Sequence, residues 1–240
     1  MYFAILLSFL PVLTVQSQDK DPDEILQKVL STFEKINDYS VDVRIKVDVS
    51  FLKIPDMEAK IYFKQPDKMR IKSDNFAMLP KQGFNFSPVS LLRKNHTAIF
   101  VKFENLRGIE TAVIKVIPLE ETSEMILSTL WIDLENYVIV KVESSARPSG
   151  TFTIDFNYKK TDSDFYLPSK MTFTFPADQM LIRGNIKDPF NSSDDKDDSE
   201  KKDDKNEGKV TVSYSNYIVN KGIQDSVFTK PMESFKRRKK

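Results

Sequence analysis

The sequence predicts a mainly β protein with few helices (α+β), built on a wide, strongly twisted or partly closed antiparallel sheet. Every odd-numbered position from Val41 to Phe51 is apolar and the positions between them are polar. This period-two pattern is typical of a strand with one dry and one wet face. Eleven such residues span about 36 Å, roughly twice an ordinary strand. Short strands then recur at regular spacing, and the one clear helix comes first, which argues against βαβ units.

The N-terminal run from Tyr2 to Val15 is apolar, contains Pro11, and is too short to span a bilayer. It is followed by Gln16-Ser17, which places a small residue at the −1 position of an export cleavage site. We therefore expect residues 1–17 to be a signal peptide cleaved near Ser17, so that the protein is exported. An internal core helix is the alternative interpretation.

A helix is predicted next, beginning after Asp21. Asp21 can cap it, Pro22 suits the first helical position, and Glu24 has the spacing of a capping box. The apolar stripe of this helix consists of Ile25, Val29, Phe33 and Ile36, with Leu26 and Leu30 beside it. This stripe should lie on the sheet, where it either fills the core or forms part of a lid over a cavity.

The second and third strands follow a connection at Lys53–Asp56. Alternation resumes from Met57 to Phe63, and a further short run carries Met69 and Ile71. Pro66 interrupts the pattern, and proline is not tolerated in a central ladder. We therefore expect the sheet to bend or change partners at Pro66.

The remaining strands are predicted from the same alternation. Their alternating apolar positions are Ile99, Val101, Phe103; Ala112, Ile114, Val116; Phe152, Ile154, Phe156, Tyr158; Met171, Phe173, Phe175; and Val210, Val212, Tyr214. Two further strands, from Met125 to Asp133 and from Val138 to Glu143, are joined by a hairpin-sized link. Between the third and fourth strands, residues 75–95 are too apolar to be disordered. Ser87-Pro88 is a helix start, which predicts a short apolar helix from Val89 to Leu92.

Residues 191–208 are rich in Asp, Glu and Lys and contain no large apolar side chain. We expect a disordered acidic loop there, because it buries too little surface to offset its ordering entropy. A calcium site is the alternative, although the loop lacks the spacing of a calcium-binding loop. Residues 18–235 are predicted to form one domain, and residues 236–240 a basic tail that is either solvated, paired with the acidic loop, or in contact with an anionic membrane.

No catalytic constellation is evident. The chain contains one histidine, His96, and no cysteine, which excludes a Cys/His nucleophile pair and most zinc sites. No glycine-rich phosphate loop is present, and the formal net charge of +1 gives no field that would attract nucleic acid. We expect a protein that is not an enzyme, needs no cofactor or metal, and does not bind nucleic acid.

A family resemblance rests on four features: the helix ending near Tyr39, the long alternating strand, the return through Phe63-Lys64-Gln65-Pro66-Asp67-Lys68-Met69-Arg70, and Leu130-Trp131-Ile132-Asp133. Together they resemble the LolA-like periplasmic lipoprotein carriers. The resemblance implies an unclosed antiparallel β half-barrel with an N-terminal helix and a helical or loop lid over an apolar concavity.

Acyl chains would lie in that concavity. The residues expected to line it are Val43, Ile45, Val47, Ile61, Phe63, Met69, Ile99, Val101, Ile114, Val140, Ile154 and Phe156. By analogy the lid includes Phe84, Phe86, Leu91 and Leu92. The alternative is that these apolar residues close a dry sandwich core, and an ordinary capping loop is the alternative for the lid.

In the family, an arginine occupies the position of Gln65. That arginine holds the lid closed by hydrogen bonds to the backbone of the lid. Gln65 offers two neutral donors instead of five charged ones. The resemblance therefore implies a weaker latch at Gln65, or a latch supplied by another cation such as Arg70 or Arg44.

The function implied by the resemblance is a soluble, monomeric periplasmic carrier. It would bind acyl chains of lipids or lipoproteins and shuttle them toward the outer membrane, with an inner-membrane release complex and an outer-membrane receptor as partners. Two alternatives stay open: a sensor or ligand-binding module similar to the RseB/MucB envelope-stress regulators, and a secreted β-scaffold protein without a transport role.

Overall fold

The computed structural model describes residues 21–50, 53–73, 88–120, 123–147, 150–177 and 207–229. Several predicted features lie outside these residues: the signal peptide at 1–17, Phe84 and Phe86 of the lid, most of the acidic loop at 191–206, and the basic tail at 236–240.

The described residues form three helices and ten strands. The helices are α1 (Pro22–Glu34), α2 (Pro88–Leu92) and α3 (Ser226–Thr229). The strands are β1 (Asp38–Asp48), β2 (Met57–Lys64), β3 (Lys68–Lys72), β4 (His96–Leu106), β5 (Ile109–Pro118), β6 (Met125–Asp133), β7 (Ile139–Ala146), β8 (Gly150–Lys160), β9 (Tyr166–Pro176) and β10 (Glu207–Val219). None of the helices in these ranges has the length and apolar character needed to cross a membrane.

All ten strands belong to one antiparallel sheet, in the order β3-β2-β1-β10-β9-β8-β7-β6-β5-β4. Within the described ranges β3 and β4 form the two edges and do not pair with each other, so the sheet is not closed into a barrel. The predicted mainly β, unclosed half-barrel is therefore confirmed. The long strand β1 does not lie at an edge of the sheet, because the last strand, β10, pairs along the length of β1. Ile45, for example, lies opposite Val212.

The predicted N-terminal helix is confirmed, but it ends at Glu34 rather than near Tyr39, which belongs to β1. Asp21 lies at the N-cap of α1, where its carboxylate accepts a hydrogen bond from the backbone N–H of Asp23 at 3.0 Å. Pro22 occupies the first turn, where a missing N–H costs nothing. Ile25, Leu26 and Val29 are buried against the sheet. The helix thus fills part of the core with its first two turns.

The turn at Pro66 differs from the expectation. The peptide bond between Gln65 and Pro66 is cis, and the chain reverses over residues 65–67. β3 then pairs with β2 from Lys64–Lys68 to Lys60–Lys72. The sheet therefore does not bend within a strand at Pro66, because the proline lies in the turn of a hairpin.

Two strand ends also differ. β1 begins at Asp38, three residues before the alternating run, and Phe51 lies outside the described residues. β10 begins at Glu207, so the last two residues of the predicted acidic loop are strand residues, with Glu207 opposite Pro176 and Gly208 opposite Phe175.

One large hydrophobic cluster covers the inner face of the sheet, with α1 and α2 packed on it. Ile45, Ile114, Leu130 and Ile154 are among its fully buried members. A smaller cluster of Ile36, Leu167 and Val219 lies at the end of the sheet where β1 begins and β10 ends. This end is where the packing leaves space.

Candidate ligand cavity

A cavity of about 410 Å³ lies between α1, the start of α2 and the inner face of the sheet. This volume falls within the range of about 300–1,000 Å³ that is typical of small-molecule sites. Its lining comes from two helices and at least six strands: Val29, Thr32, Phe33, Ile36, Tyr39, Ile61, Phe63, Pro66, Asp67, Met69, Val89, Arg93, Tyr137, Val138, Ile139, Phe156, Tyr158, Tyr166, Leu167, Pro168, Met171, Val212, Tyr214 and Tyr217.

The second half of α1 forms one wall of the cavity. Val29, Phe33 and Ile36 continue the apolar stripe whose first turns enter the core. Thr32 lies beside them and is half-buried, whereas Ser31 on the adjacent face is exposed. The same stripe therefore packs the core at one end and lines the cavity at the other, which reconciles the two roles predicted for this helix.

Aromatic rings make up much of the remaining wall. Phe63 contacts Phe33 with ring centroids 5.5 Å apart and stacks on Tyr39 at 5.1 Å. Tyr39 meets Tyr217 at 5.8 Å, and Tyr217 stacks on Tyr214 at 6.2 Å. These separations are typical of favourable aromatic pairs. The result is a continuous aromatic band that runs from α1 across β2, β1 and β10.

A second aromatic group lies on β8 and β9. Tyr158 stacks on Tyr166 at 5.4 Å and contacts Phe156 at 6.1 Å. Six tyrosines in all line the cavity: Tyr39, Tyr137, Tyr158, Tyr166, Tyr214 and Tyr217. A tyrosine presents an apolar ring together with a hydroxyl group, so this wall suits an apolar chain while keeping polar atoms within reach.

Most of the buried hydroxyl groups have partners. Tyr158 donates to the carbonyl of Ile139 at 2.9 Å, Tyr217 donates to the carbonyl of Pro168 at 2.9 Å, and Tyr214 approaches the Met171 sulfur at 3.8 Å. These bonds hold the rings of the wall in place.

Burial keeps these phenols neutral. Desolvation raises the pKa of Tyr39 to about 12 and raises the pKa of Tyr158, Tyr214 and Tyr217 further above the usual value. The pKa of Tyr166 is also raised, first by desolvation and then by the charges of Asp133 and Glu135. At neutral pH the tyrosine wall therefore carries no charge.

Charge on the lining is confined to its exposed side. Of the lining residues, only Asp67 and Arg93 carry a charged side chain, and both are exposed. Arg93, just after α2, donates from Nη2 to the Gln65 Oε1 at 2.8 Å and from Nη1 to the Pro66 carbonyl at 2.6 Å. Its guanidinium also lies over the Phe33 ring, 5.7 Å from the centroid. These contacts tie α2 to the β2–β3 turn at the mouth of the cavity.

The predicted latch position makes hydrogen bonds in both directions. The Gln65 Nε2 donates to the backbone carbonyl of Phe33 on α1 at 3.5 Å, and the Gln65 side-chain carbonyl oxygen accepts from Arg93 at 2.8 Å. Neither of the other cations considered lines the cavity. Arg44 pairs with Glu58 at 3.1 Å, and Arg70 lies opposite Tyr62 on β3.

The predicted cavity residues fall into four groups. Ile61, Phe63, Met69 and Phe156 line the cavity. Val43, Ile45, Val47, Ile114 and Ile154 are buried in the main core and do not reach it. Val140 is buried but belongs to neither the core cluster nor the cavity lining. Ile99 and Val101 are 47% and 44% exposed on the edge strand β4, so they do not belong to the inner face.

The predicted lid residues that the structure describes are Leu91 and Leu92. Both are buried, 6% and 3% exposed, within the main core cluster. The short helix predicted from Ser87-Pro88 is confirmed as α2, which contacts α1. Its Val89 and the following Arg93, rather than the two leucines, face the cavity.

The sequence reasoning did not identify the tyrosine wall or Arg93. A usable signal was the concentration of tyrosines near strand ends, with Tyr39 at the start of β1, Tyr166 at the start of β9, and Tyr217 near the end of β10. Antiparallel neighbours bring the start of one strand beside the end of the next. Tyrosines at the start of one strand and at the end of its neighbour therefore meet at the same end of the sheet.

Comparisons with known proteins agree on the fold. No protein-family model matches the chain, and no curated protein sequence matches it. Among solved structures, a LolA superfamily protein from Nitrosomonas europaea aligns with a TM-score of 0.57 and 12% identity, covering 87% of this chain and 97% of that one. A protein domain from Vibrio parahaemolyticus, described as an outer membrane lipoprotein-sorting protein, aligns with a TM-score of 0.56 and 16% identity, covering 87% and 96%.

A DUF1329 family protein from Desulfovibrio piger also aligns, with a TM-score of 0.56 and 11% identity, covering 87% of this chain and 98% of that one. In all three cases nearly the whole of the solved chain is matched, so the likeness extends over the complete curved sheet rather than one hairpin. The chain therefore has the LolA-like fold that its strand pattern resembles.

Proposed function

We propose that this protein is an exported carrier that binds acyl chains of lipids or lipoproteins in its tyrosine-lined cavity. In this proposal it shuttles them across the periplasm toward the outer membrane as a soluble monomer. It would receive its cargo from an inner-membrane release complex and deliver it to an outer-membrane receptor.

The observation that carries the proposal is the cavity itself. Its 410 Å³ lies beneath α1, beside the large cluster of buried apolar residues on the inner face of the sheet. The deep lining is apolar or aromatic and uncharged, and the two charged lining residues are exposed. Apolar lining with a few placed polar groups is the usual composition of a site for an apolar ligand.

The same observation bears on the alternatives. A β-scaffold protein without a ligand was expected to have a dry, fully packed interior, and the cavity favours the carrier over it. The sensor alternative also requires a ligand cavity, so the cavity does not distinguish a sensor from a carrier. The likeness to lipoprotein-sorting structures, which is a likeness of fold, is consistent with the carrier.

Access to the cavity is proposed to depend on α2. Leu91 and Leu92 anchor this helix in the core, while Arg93 holds its end to Gln65 and Pro66 at the mouth. The bonds from Arg93 involve exposed groups, so they are weak enough to open without disturbing the core. We therefore assign the closing contact to Arg93 and Gln65.

Filling the cavity tests the proposal. Thr32→Trp should place a large ring in the cavity from the wall of α1 and weaken binding of the neutral apolar dye Nile red by at least about tenfold. Ser31→Trp is the matched control, because it adds the same ring on the exposed face of the same helix. Lipid mass spectrometry on protein purified from its own envelope should recover bound acyl lipid. Absence of lipid together with equal dye binding by both variants would contradict the carrier function.

A further inference from the structure

We infer that the ligand of this cavity is a single-chain amphiphile with an anionic headgroup, a carboxylate or a phosphate, bound with its chain inside and its headgroup at Arg93. This inference rests on the proposed function and narrows its substrate class. According to this inference, lipid anchors with two or three chains do not fit wholly within the cavity.

The volume favours one chain. At about 410 Å³ the cavity lies near the lower end of the range of about 300–1,000 Å³ that is typical of small-molecule sites. It therefore suits a ligand with one acyl chain better than a ligand with two or three. A second chain of the same length would need twice the space, and the surrounding inner face is occupied by the fully buried core residues Ile45, Ile114 and Ile154.

The wall places the headgroup at the mouth. The tyrosine phenols are neutral at pH 7, because the ordinary pKa of tyrosine is near 10 and burial raises it further for Tyr158 and Tyr214. The deep lining has no other ionisable side chain among the described residues. A charged headgroup placed there would lose its hydration without gaining a partner of opposite charge. The chain therefore enters first, and the charge stays on the exposed side where Asp67 and Arg93 lie.

The negative charge of the headgroup is inferred from Arg93. Its two hydrogen bonds go to neutral oxygens, those of Gln65 and Pro66, and among the described residues it forms no ion pair. A guanidinium has five N–H donors in a fork that matches a carboxylate or phosphate, and two bonds leave part of this fork available. Arg93 can therefore bind an acid while it still holds Gln65.

The neighbouring charges favour an anion. Asp67 opposes it, but Lys64 and Lys68 of the same hairpin share the single carboxylate of Asp225, at 2.7 and 3.2 Å. Together with Arg93 these groups make three cations against two carboxylates around the β2–β3 turn. The local field at the mouth is thus positive.

The test compares ligands that differ in one feature, by displacement of Nile red from the full chain. Myristate and its neutral analogue myristyl alcohol share the chain, while a myristoyl lysophosphatidic acid and dimyristoyl phosphatidic acid share the headgroup. We expect the single-chain acids to bind about tenfold more tightly than the alcohol, because hydrogen bonds to charged groups are the stronger ones. We expect the two-chain acid to bind at least tenfold more weakly than its single-chain counterpart. Preference between myristate and lysophosphatidic acid then identifies the headgroup as carboxylate or phosphate.

Arg93→Gln should bring the ratio of the alcohol dissociation constant to the acid dissociation constant close to one. Lys94→Gln is the control, because it removes the adjacent exposed cation, which pairs with Glu120. This control should leave the ratio unchanged. The ratio separates headgroup binding from closure, since loss of closure weakens acid and alcohol alike. Equal binding of acid and alcohol by the parent, or of one-chain and two-chain acids, would overturn this inference while leaving the carrier function intact. If neither Nile red nor any chain binds, both the inference and the carrier function fail.

Discussion

Arg93 and Gln65 are joined side chain to side chain by a hydrogen bond of 2.8 Å at the mouth of the cavity. The cation comes from the end of α2 and the neutral acceptor from the turn between β2 and β3. In the family that the sequence resembles, the cation stands at the Gln65 position instead. The chain thus keeps a cation-to-carbonyl closing contact but supplies the cation from the helix.

This geometry predicts that Gln65→Arg loosens the mouth rather than tightening it. The new guanidinium would face that of Arg93, and two like charges would replace a hydrogen bond. We expect fluorescent-lipid dissociation to become about three- to tenfold faster, which corresponds to the loss of one ordinary hydrogen bond. The measurement is a stopped-flow dissociation rate.

The reciprocal exchange is the control for this prediction. The double variant Gln65→Arg/Arg93→Gln restores one cation and one neutral acceptor at the same two positions, so the dissociation rate should return toward that of the parent. Gln65→Leu, which removes the acceptor for Arg93 and the donor to the Phe33 carbonyl without adding a second cation, should give an intermediate rate. Identical rates in all variants would show that this pair does not control ligand exchange.

A second prediction concerns Ile45, which is buried in the core at 1% exposure and does not line the cavity. The sequence predicts that Ile45 lines the cavity, where a glutamate would expel ligand and leave the protein folded. In the structure the new carboxylate would be buried without a partner, so we expect the domain to unfold. The milder Ile45→Ala should lower the free energy of unfolding by about 2–5 kcal/mol.

Thermal unfolding followed by circular dichroism checks this, because each kcal/mol moves the melting temperature by about 2–4 °C for a domain of this size. Ile99→Ala is the control, since Ile99 is 47% exposed and should change the melting temperature little. A folded Ile45→Glu variant that had lost only ligand binding would instead mean that the cavity extends along β1.

These two isoleucines show what the sequence could and could not supply. Along β1 only one phase of the alternation is apolar, so its inner face was predicted correctly, including Val43 and Ile45. Along β4 both phases are apolar from Ala98 to Val101, and the phase packed on the core includes Phe100 rather than Ile99. A bulge after Phe100 then shifts the register, which local periodicity does not reveal.

The location of the cavity was harder to predict than the sheet. It depends on how far α1 and α2 cover the inner face, and on contacts such as Arg93 with Pro66 that join distant parts of the chain. Hydrophobic alternation identifies which side chains face inward, but it does not distinguish a residue in a packed core from one beside open space. Hence the predicted cavity residues divide between the core, the cavity and the surface.

A third prediction concerns Asn220, which ties the end of β10 to the start of β1. Its side-chain oxygen accepts from the backbone N–H groups of Asn37 at 2.7 Å and Asp38 at 3.3 Å, and its Nδ2 donates to the Lys35 carbonyl at 2.9 Å. Asn220→Ala leaves these backbone groups without their partner. We expect a loss of about 2 kcal/mol, seen as a drop of about 4–8 °C in melting temperature.

Asn216→Ala is a closely matched control for this change. Asn216 has φ 55° and Asn220 has φ 53°, so alanine meets the same backbone strain at both positions. The Asn216 side chain instead makes an exposed bond of 3.0 Å to the Asp42 carboxylate. The difference between the two variants therefore isolates the backbone bonds of Asn220, and equal melting temperatures would show that these bonds contribute nothing.

The last prediction concerns Gly208, which lies opposite Phe175 in the pairing of β10 with β9. A Cβ atom at position 208 would lie 2.5 Å from Cζ and 2.7 Å from Cε2 of the Phe175 ring. The ring also stacks on Phe173, with centroids 5.1 Å apart, and moving it would disturb this contact. Gly208→Ala should therefore destabilise the domain by about 1–3 kcal/mol through overpacking.

A double-mutant cycle with Phe175→Leu separates this clash from any general effect of alanine in the strand. The smaller leucine leaves room for the added methyl group, and alanine loses less backbone entropy on folding than glycine. In the Phe175→Leu background, Gly208→Ala should thus be neutral or stabilising, so that the two changes show a coupling of about 1–3 kcal/mol in chemical denaturation. Additive effects would mean that the Phe175 ring does not cover Gly208, and that glycine at this position serves another purpose.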